Sequence, residues 1–210
     1  ALNGTVAATA VKNGIGGLEF LSGIPGSMGG ALAMNAGAYG TEMRDVLVGV
    51  KALGRDGELK RYTVEDLHMS YRHTSIPDGA IFISAIVKGV DEDYETVKAR
   101  MNDIKTKRND TQPIKEKTGG STFANPSAPE LQIAGLPEGT RAWQVVEKVG
   151  GRGLKRGGAM ISEKHCKFMI NTGDATASDL EGLGDEIIRR AYEEYGLKLR
   201  WEIKRIGENI

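Results

Sequence analysis

Cysteine is almost missing from this sequence: Cys166 stands alone in 210 residues. No disulfide can form within the chain, and a zinc site built from several thiolates is excluded. That usage fits a reducing cytoplasm. Neither sign of charge is in excess, since 28 Lys and Arg balance 28 Asp and Glu. A general nucleic-acid binder needs a basic surface, so no nucleic-acid partner is expected. No apolar run approaches the ~20 residues that cross a membrane, and no secretory leader opens the chain, so no membrane partner is expected. The three histidines, His68, His73 and His165, lack the spacing of a metal pair, and no metal is expected. No G-x-x-x-x-G-K-[ST] occurs, nor a G-x-G-x-x-G closing a strand, nor a G-x-S-x-G. These absences disfavour P-loop, Rossmann and hydrolase-elbow chemistry. The chain opens on Ala1 rather than Met, so its natural start is expected upstream.

Glycine is abundant where cysteine is not. Between Ser22 and Gly40 lie Gly23, Gly26, Gly29, Gly30, Gly37 and Gly40. A folded segment this rich in glycine carries an entropic cost that positive φ or close main-chain approach must justify. Bared N–H groups can point at an anion such as a pyrophosphate, and Pro25 stiffens the turn. Ala31, Ala33, Ala36 and Ala38 keep the surface low, while Met34 and Tyr39 add bulk. The stretch reads as a backbone cradle for a phosphate-bearing cofactor or, more plainly, as a glycine-rich turn; composition alone favours the turn.

The chain in order predicts a short helix over 6–13, strands over 46–53 and 58–62 joined at Arg55-Asp56-Gly57, and a capped helix over 63–68. The apolar, β-branched run 80–90 is expected as a central strand. A helix with a basic end follows over 91–109, then an aperiodic connector. The second half offers a helix over 142–149, strands at 160–161 and 168–170, a long helix over 176–195 and an alternating terminal strand over 197–206. Glu19 reads as a solvated or capping carboxylate. Two domains are expected, 1–111 and 112–210, both α+β.

Candidate chemistry is sparse residue by residue. Arg72, in S-Y-R-H-T, suits a planar carboxylate or phosphate, although a lone Arg more often makes a surface pair. Ser121 lies in a Gly-Gly-Ser turn and Asn125 in an Asn-Pro turn, where turn formation is the simpler role. Glu202 sits in the last strand and reads equally as an exposed strand residue. His165 is as well read as a surface histidine.

Taken together, five ordered blocks match one family. They are G-I-P-G-S-M-G-G-A-L-A-M-N-A-G-A-Y-G, S-Y-R, G-G-S-T-F-A-N-P, G-G-A-M-I-S-E-K-H-C-K-F-M-I-N and W-E-I-K-R-I-G. In these the chain closely resembles the UDP-N-acetylenolpyruvoylglucosamine reductases (MurB), of the shorter type without a tyrosine-bearing loop. The resemblance implies the second lobe of a PCMH/VAO-type FAD-binding domain followed by a smaller α+β substrate-binding domain. The family's first lobe, with its own G-x-G-S-N-L-L stretch, has no counterpart here, so the fragment alone is expected to bind FAD weakly or not at all and to be inactive. For the whole protein the resemblance implies a bacterial, cytoplasmic UDP-N-acetylmuramate dehydrogenase of peptidoglycan precursor synthesis. FAD is its cofactor, NADPH its co-substrate, and UDP-N-acetylglucosamine enolpyruvate its substrate. Arg72, Ser121 and Glu202 match the catalytic residues: Arg72 and Glu202 face developing charge, with a protonated Glu202 the easier partner for a carboxylate, and Ser121 supplies the proton. Gly23, Ile24, Pro25, Gly26, Ser27, Gly29, Gly30, Asn35, Ala36 and Gly37 match the FAD cradle. Tyr71, Arg108, Asn125 and His165 match substrate contacts, with Lys105 and Lys107 as further candidates for the diphosphate. The rivals are another PCMH-type flavin oxidoreductase, acting on an alcohol or hydroxy acid, and a non-catalytic binding fragment.

Overall fold

The computed structural model describes residues 1–207; the last three positions of the expected second domain lie outside the described residues. The chain divides into two compact units, Ala1–Arg108 and Asn109–Ile210.

The first unit opens with α1 (Asn3–Lys12), β1 (Ile15–Gly16), a 3-10 turn (Glu19–Gly23) and α2 (Met28–Ala33). Next come β2 (Gly37–Ala38), β3 (Thr41–Glu42), α3 (Met43–Val46), β4 (Leu47–Leu53), β5 (Leu59–Thr63), β6 (Ile81–Val87), β7 (Val90–Asp91) and α4 (Tyr94–Thr111), inside which the division falls. Its main sheet is antiparallel in the order β5-β4-β6. Leu21, Leu32, Met43, Leu67 and Val97 are its most enclosed apolar side chains. The β4–β5 hairpin closes where expected, with Gly54 N donating to Glu58 O at 2.9 Å and Gly57 at φ 79°.

Two expectations for this unit need correction. The run over 80–90 gives β6, but β6 is an edge strand and β4 is the central one. Composition reported a strand; it carried no information about rank in the sheet. Ile81, Ile83 and Ile86 stay exposed, while Leu47, Val50 and Ala52 of β4 are buried. The expected helix over 63–68 does not form: Thr63 ends β5, and residues 64–68 are turns. Asp66 accepts from Thr63 N at 2.8 Å and from Thr63 Oγ1 at 2.9 Å, and His68 at φ 39° takes the chain out of helical geometry after one turn.

The second unit has β8 (Lys117–Ser121), α5 (Ala128–Ile133), α6 (Ala142–Lys148), β9 (Lys155–Arg156), β10 (Ala159–Ile161), β11 (Phe168–Asn171) and α7 (Ala177–Tyr195). Its antiparallel sheet runs β8-β11-β10-β9. The long helix forms because Thr176 and Asp179 cap it reciprocally at 3.1 and 3.0 Å and Gly196 ends it at φ 64°. Its Leu183, Ile187 and Ala191 are buried on one face with Val145, Val146 and Ile161.

The expected terminal strand over 197–206 is also corrected. Among the described residues the segment forms one bridge, Phe123 with Trp201, flanked by Ala124 N to Arg200 O and Glu202 N to Thr122 O, both 2.9 Å. Pro126, three residues beyond Phe123, has no N–H to extend the ladder on that side. The segment is held instead by side chains. Leu197 and Leu199 are buried, and the Trp201 ring lies 5.3 Å from that of Phe123.

Trp201 also lies on Gly184 of α7, where an added Cβ would stand 1.9 Å from its Cη2. Glycine inside a helix costs about 1 kcal/mol against alanine, and here it admits the indole. Gly184→Ala is therefore expected to destabilise the second unit by about 1–3 kcal/mol despite the better helix former. Urea unfolding followed by tryptophan fluorescence measures this, since Trp143 and Trp201 both report on that unit; unchanged or raised stability would contradict the packing account.

Candidate functional site

In the first unit the glycine stretch folds as turn, helix and short strand. Ser27 caps α2, its Oγ accepting from Gly30 N at 3.3 Å. The main chain before it is pinned by Asn3 N to Gly26 O at 3.0 Å and Met28 N to Ala1 O at 2.9 Å. Pro25, Gly26, Ser27 and Gly30 are exposed. An added Cβ would meet nothing within 4 Å at Gly26, and at Gly29 and Gly30 only Ser27 Oγ, at 3.9 and 3.7 Å. This bared main chain is the feature a phosphate-bearing dinucleotide requires. Gly23 has a different reason to be glycine: a Cβ there would sit 2.6 Å from the Tyr39 ring.

The far end of α2 closes with Asn35 N to Leu32 O at 3.1 Å and Ala36 N to Ala31 O at 2.8 Å, a paired C-terminal cap with Asn35 left-handed at φ 38°. Asn35 is fully buried. Its amide donates to Glu42 Oε2 at 2.8 Å and to Ser70 O at 3.0 Å, and accepts from Arg44 N at 3.0 Å. The Ser70–His73 turn carries Arg72 at φ 55°. Arg72 Nη2 donates to Gly37 O at 3.4 Å, and its guanidinium lies 4.9 Å from the Tyr71 ring centroid. Arginine and cradle, 35 residues apart in sequence, are thus in contact.

Helix α4 borders the same stretch and the 3-10 turn that leads into it at intervals of four residues. Arg100 Nε and Nη2 donate to Glu19 Oε1 at 2.8 and 2.7 Å. Ile104 O receives the Tyr39 hydroxyl at 3.4 Å, and Arg108 Nη1 donates to Ser22 O at 3.4 Å. Arg108 Nε is buried with no hydrogen-bond partner among the described residues, so the guanidinium keeps unused capacity for an anion. Glu19 is 7 % exposed and also accepts from Gly17 N at 2.8 Å. The reading of Glu19 as a solvated group is corrected: it is a buried partner of Arg100. Sequence reasoning passed over Arg100. The available signal was the 100, 104, 108 spacing along one helix face. Lys107 pairs with Asp103 at 2.6 Å.

The second unit gathers the other group of candidates. Ser121 pairs with Phe168 across β8 and β11. Thr122 is buried, its Oγ1 accepting from Met169 N and its carbonyl from Glu202 N, both at 2.9 Å. Residues 121 and 202, far apart in sequence, therefore stand on adjoining main-chain segments. Asn125 Oδ1 accepts from Ala142 N at 3.1 Å and fixes the start of α6. His165 is half-buried, edge-on to Trp143 at 4.9 Å and to Phe168 at 5.8 Å, with Nδ1 accepting from Lys167 N at 3.1 Å. Burial lowers its pKa, helped by the charges of Lys167 and Arg152.

Residues 2–63 match a family described as the FAD binding domain, so the cradle is part of a flavin-dinucleotide-binding fold. Residues 112–206 match the C-terminal domain of UDP-N-acetylenolpyruvoylglucosamine reductase. Over 207 residues the chain is 50% identical to the curated reductase of that name from Acidiphilium cryptum and 52% to that from Paramagnetospirillum magneticum. These alignments cover 99% of this chain but 63% and 64% of the relatives, so the chain spans less than two thirds of their length. A Rickettsia massiliae relative is 47% identical with 67% of its length covered. The crystal structure of the Thermus caldophilus enzyme superposes with a TM-score of 0.81 at 34% identity, covering 97% of this chain and 69% of that one. The chain belongs to the UDP-N-acetylenolpyruvoylglucosamine reductase family. Its fold is α+β, an FAD-binding-domain portion followed by the family's C-terminal domain. Among the described residues no helix is long and apolar enough to cross a membrane.

Two outcomes test this geometry. Arg100→Ala leaves the Glu19 carboxylate buried without its partner; because the Arg100 side chain is 45% exposed, the expected loss is about 1–2 kcal/mol rather than the 3–5 of a fully buried pair. Arg100→Lys restores less than the full pair, having no fork; urea midpoints of the three proteins measure both effects. His165 adds a pH dependence. A histidine held below its ordinary 6.5 keeps its stabilising effect above that pH and loses it as pH falls through the folded value. Stability of the second unit should decline on acidification through that window, and His165→Gln should flatten the decline in parallel pH-dependent melts.

Proposed function

We propose that the full-length protein is a cytoplasmic, NADPH-dependent UDP-N-acetylmuramate dehydrogenase, reducing the enolpyruvyl ether of UDP-N-acetylglucosamine in peptidoglycan precursor synthesis. The observation that carries the reading is Arg72, fixed in a left-handed turn with its guanidinium against Gly37 of the FAD-binding stretch. The bared main chain over Pro25, Gly26, Ser27, Gly29 and Gly30 fits the cofactor's phosphates, with Gly23, Ile24, Ala36 and Gly37 bordering it. Bound there, FAD would supply the two-electron carrier that takes hydride from NADPH and gives it to the terminal methylene carbon of the enolpyruvyl group.

The chain's own residues do the rest. As that carbon gains hydride, negative charge grows on the carboxylate-conjugated enol. Arg72 offers a fixed fork to this charge, and Glu202, as a hydrogen-bond donor, offers a second stabilising contact. Preorganisation matters most here, because a donor already in place needs no reorientation in the transition state. Ser121 gives its hydroxyl proton to the neighbouring carbon, completing addition of one hydride and one proton across the double bond. A weak acid suffices when the acceptor is a strongly basic carbon held close. Tyr71, Arg108, Asn125 and His165 contact the substrate, with the basic Arg108 suited to its diphosphate.

Two variants check this in the flavin-loaded full-length protein. Ser121→Ala is expected to leave reduction by NADPH nearly intact and to slow reoxidation by the enolpyruvyl substrate by about 10²–10⁴-fold. Glu202→Gln, which can still donate, should retain more reoxidation than Glu202→Ala. Stopped-flow flavin absorbance reads both half-reactions; unchanged reoxidation in Ser121→Ala removes the serine from the mechanism.

A further inference from the structure

The second half of the glycine stretch and the turn that carries Arg72 are joined by more than the arginine itself. Arg72 occupies the third position of the tight Ser70–His73 turn, closed by Ser70 N to His73 O at 3.0 Å and His73 N to Ser70 O at 3.1 Å. Its φ of 55° is a value such turns normally assign to glycine or asparagine. An arginine there is strained, and strain of this kind persists only when neighbours over-determine the conformation.

Those neighbours are identifiable. On the N-terminal side, Asn35 Nδ2 donates to Ser70 O at 3.0 Å, the same carbonyl that closes the turn. On the C-terminal side, the buried Thr74 Oγ1 donates to Leu32 O at 2.6 Å. Both clamps originate on the last turn and C-terminal cap of α2. Asn35 is itself fixed: it is fully buried, left-handed as the cap of α2, and its remaining amide groups are engaged by Glu42 and by Arg44 N. Two strained non-glycine residues are therefore locked to each other through one carbonyl oxygen.

We propose that Asn35 is a positioning residue for Arg72: its amide, spent entirely within the protein, holds the Ser70–His73 turn in register with α2 and so sets where the guanidinium stands. Thr74 completes the clamp from the other side. The inference deepens the role given to Arg72 above and rests on it. It also assigns Asn35 an action through the protein rather than through its own contact with a ligand. A fully buried amide that has spent both N–H groups and whose oxygen already accepts from Arg44 N is not presented to a cofactor or substrate.

The test compares Asn35→Gly, Arg72→Ala and the double variant in the full-length holoenzyme. Glycine keeps the left-handed backbone and deletes only the amide. Asn35→Gly is expected to slow flavin reoxidation by the enolpyruvyl substrate by about 100-fold, the cost of a misplaced catalytic group, while reduction by NADPH stays within about twofold. In the Arg72→Ala background the same change should cost nothing further, because a residue acting through the guanidinium has no effect once it is gone. Hydrogen exchange of the His73 amide, a readout independent of turnover, should quicken in Asn35→Gly while the amides of α4 keep their protection. Unchanged reoxidation in Asn35→Gly, an equal fold-loss in both backgrounds, or unaltered His73 exchange overturns the proposal. Slow reoxidation in Arg72→Ala with additive losses sinks the inference alone; normal reoxidation in Arg72→Ala sinks the role of Arg72 and the inference together. Where Asn35→Gly does not fold, Thr74→Val, which removes the opposing clamp at nearly constant volume, is held to the same expected and overturning results.

Discussion

Close approach of main chain to bulky side chains, permitted by glycine, is the constraint on which both units depend. Gly23 lies under the Tyr39 ring and Gly184 under the Trp201 indole. With only four Phe, six Tyr and two Trp in the chain, each aromatic ring is a scarce packing resource. Where a ring meets backbone directly, it excludes water from a wide patch with little side-chain entropy lost on the other surface. In each unit that contact also sits beside candidate residues. Tyr39 lies over Gly23 near the start of the glycine stretch, and Trp201 precedes Glu202. Stability and function therefore draw on the same few contacts.

Polar fixation then acts on the frame that packing provides. In the first unit the buried groups Asn35, Glu19 and Thr74 each reach across long sequence separations, to Ser70, Arg100 and Leu32. In the second, Thr122 does the same for β11 and for the segment carrying Glu202. Each of these polar groups is nearly or fully buried and hydrogen-bonded, the condition under which such groups specify one geometry rather than merely cost desolvation.

What the sequence made legible follows from the range of the physics involved. Local patterns located α1, α4, α6, α7 and the β4–β5 hairpin, since periodicity, caps and turn residues act within a few positions. The block resemblance identified the family and the two-part α+β organisation. The order of strands was not readable, because β-branched composition is shared by the edge strand β6 and by central strands elsewhere. The solvated reading of Glu19 failed because its partner is remote: Arg100 lies 81 positions away, and no local pattern links the two. The conformation of Arg72 was also invisible. A left-handed arginine contradicts its own local preference, and only the surrounding clamp makes it stable. The terminal segment shows the converse: its alternation marked the buried face at Leu197 and Leu199, although among the described residues it makes a single bridge.

The row formed by Arg100, Ile104 and Arg108 has a consequence for how this protein can diverge. Three contacts spread over eight residues make α4 a ruler about 12 Å long laid against the glycine-rich loop. Inserting or deleting one residue within that span would turn everything beyond it by about 100° and lift at least one marking off its notch. Lineages can exchange side chains along this helix freely on its solvent side, but its length between those three marks is a fixed measure.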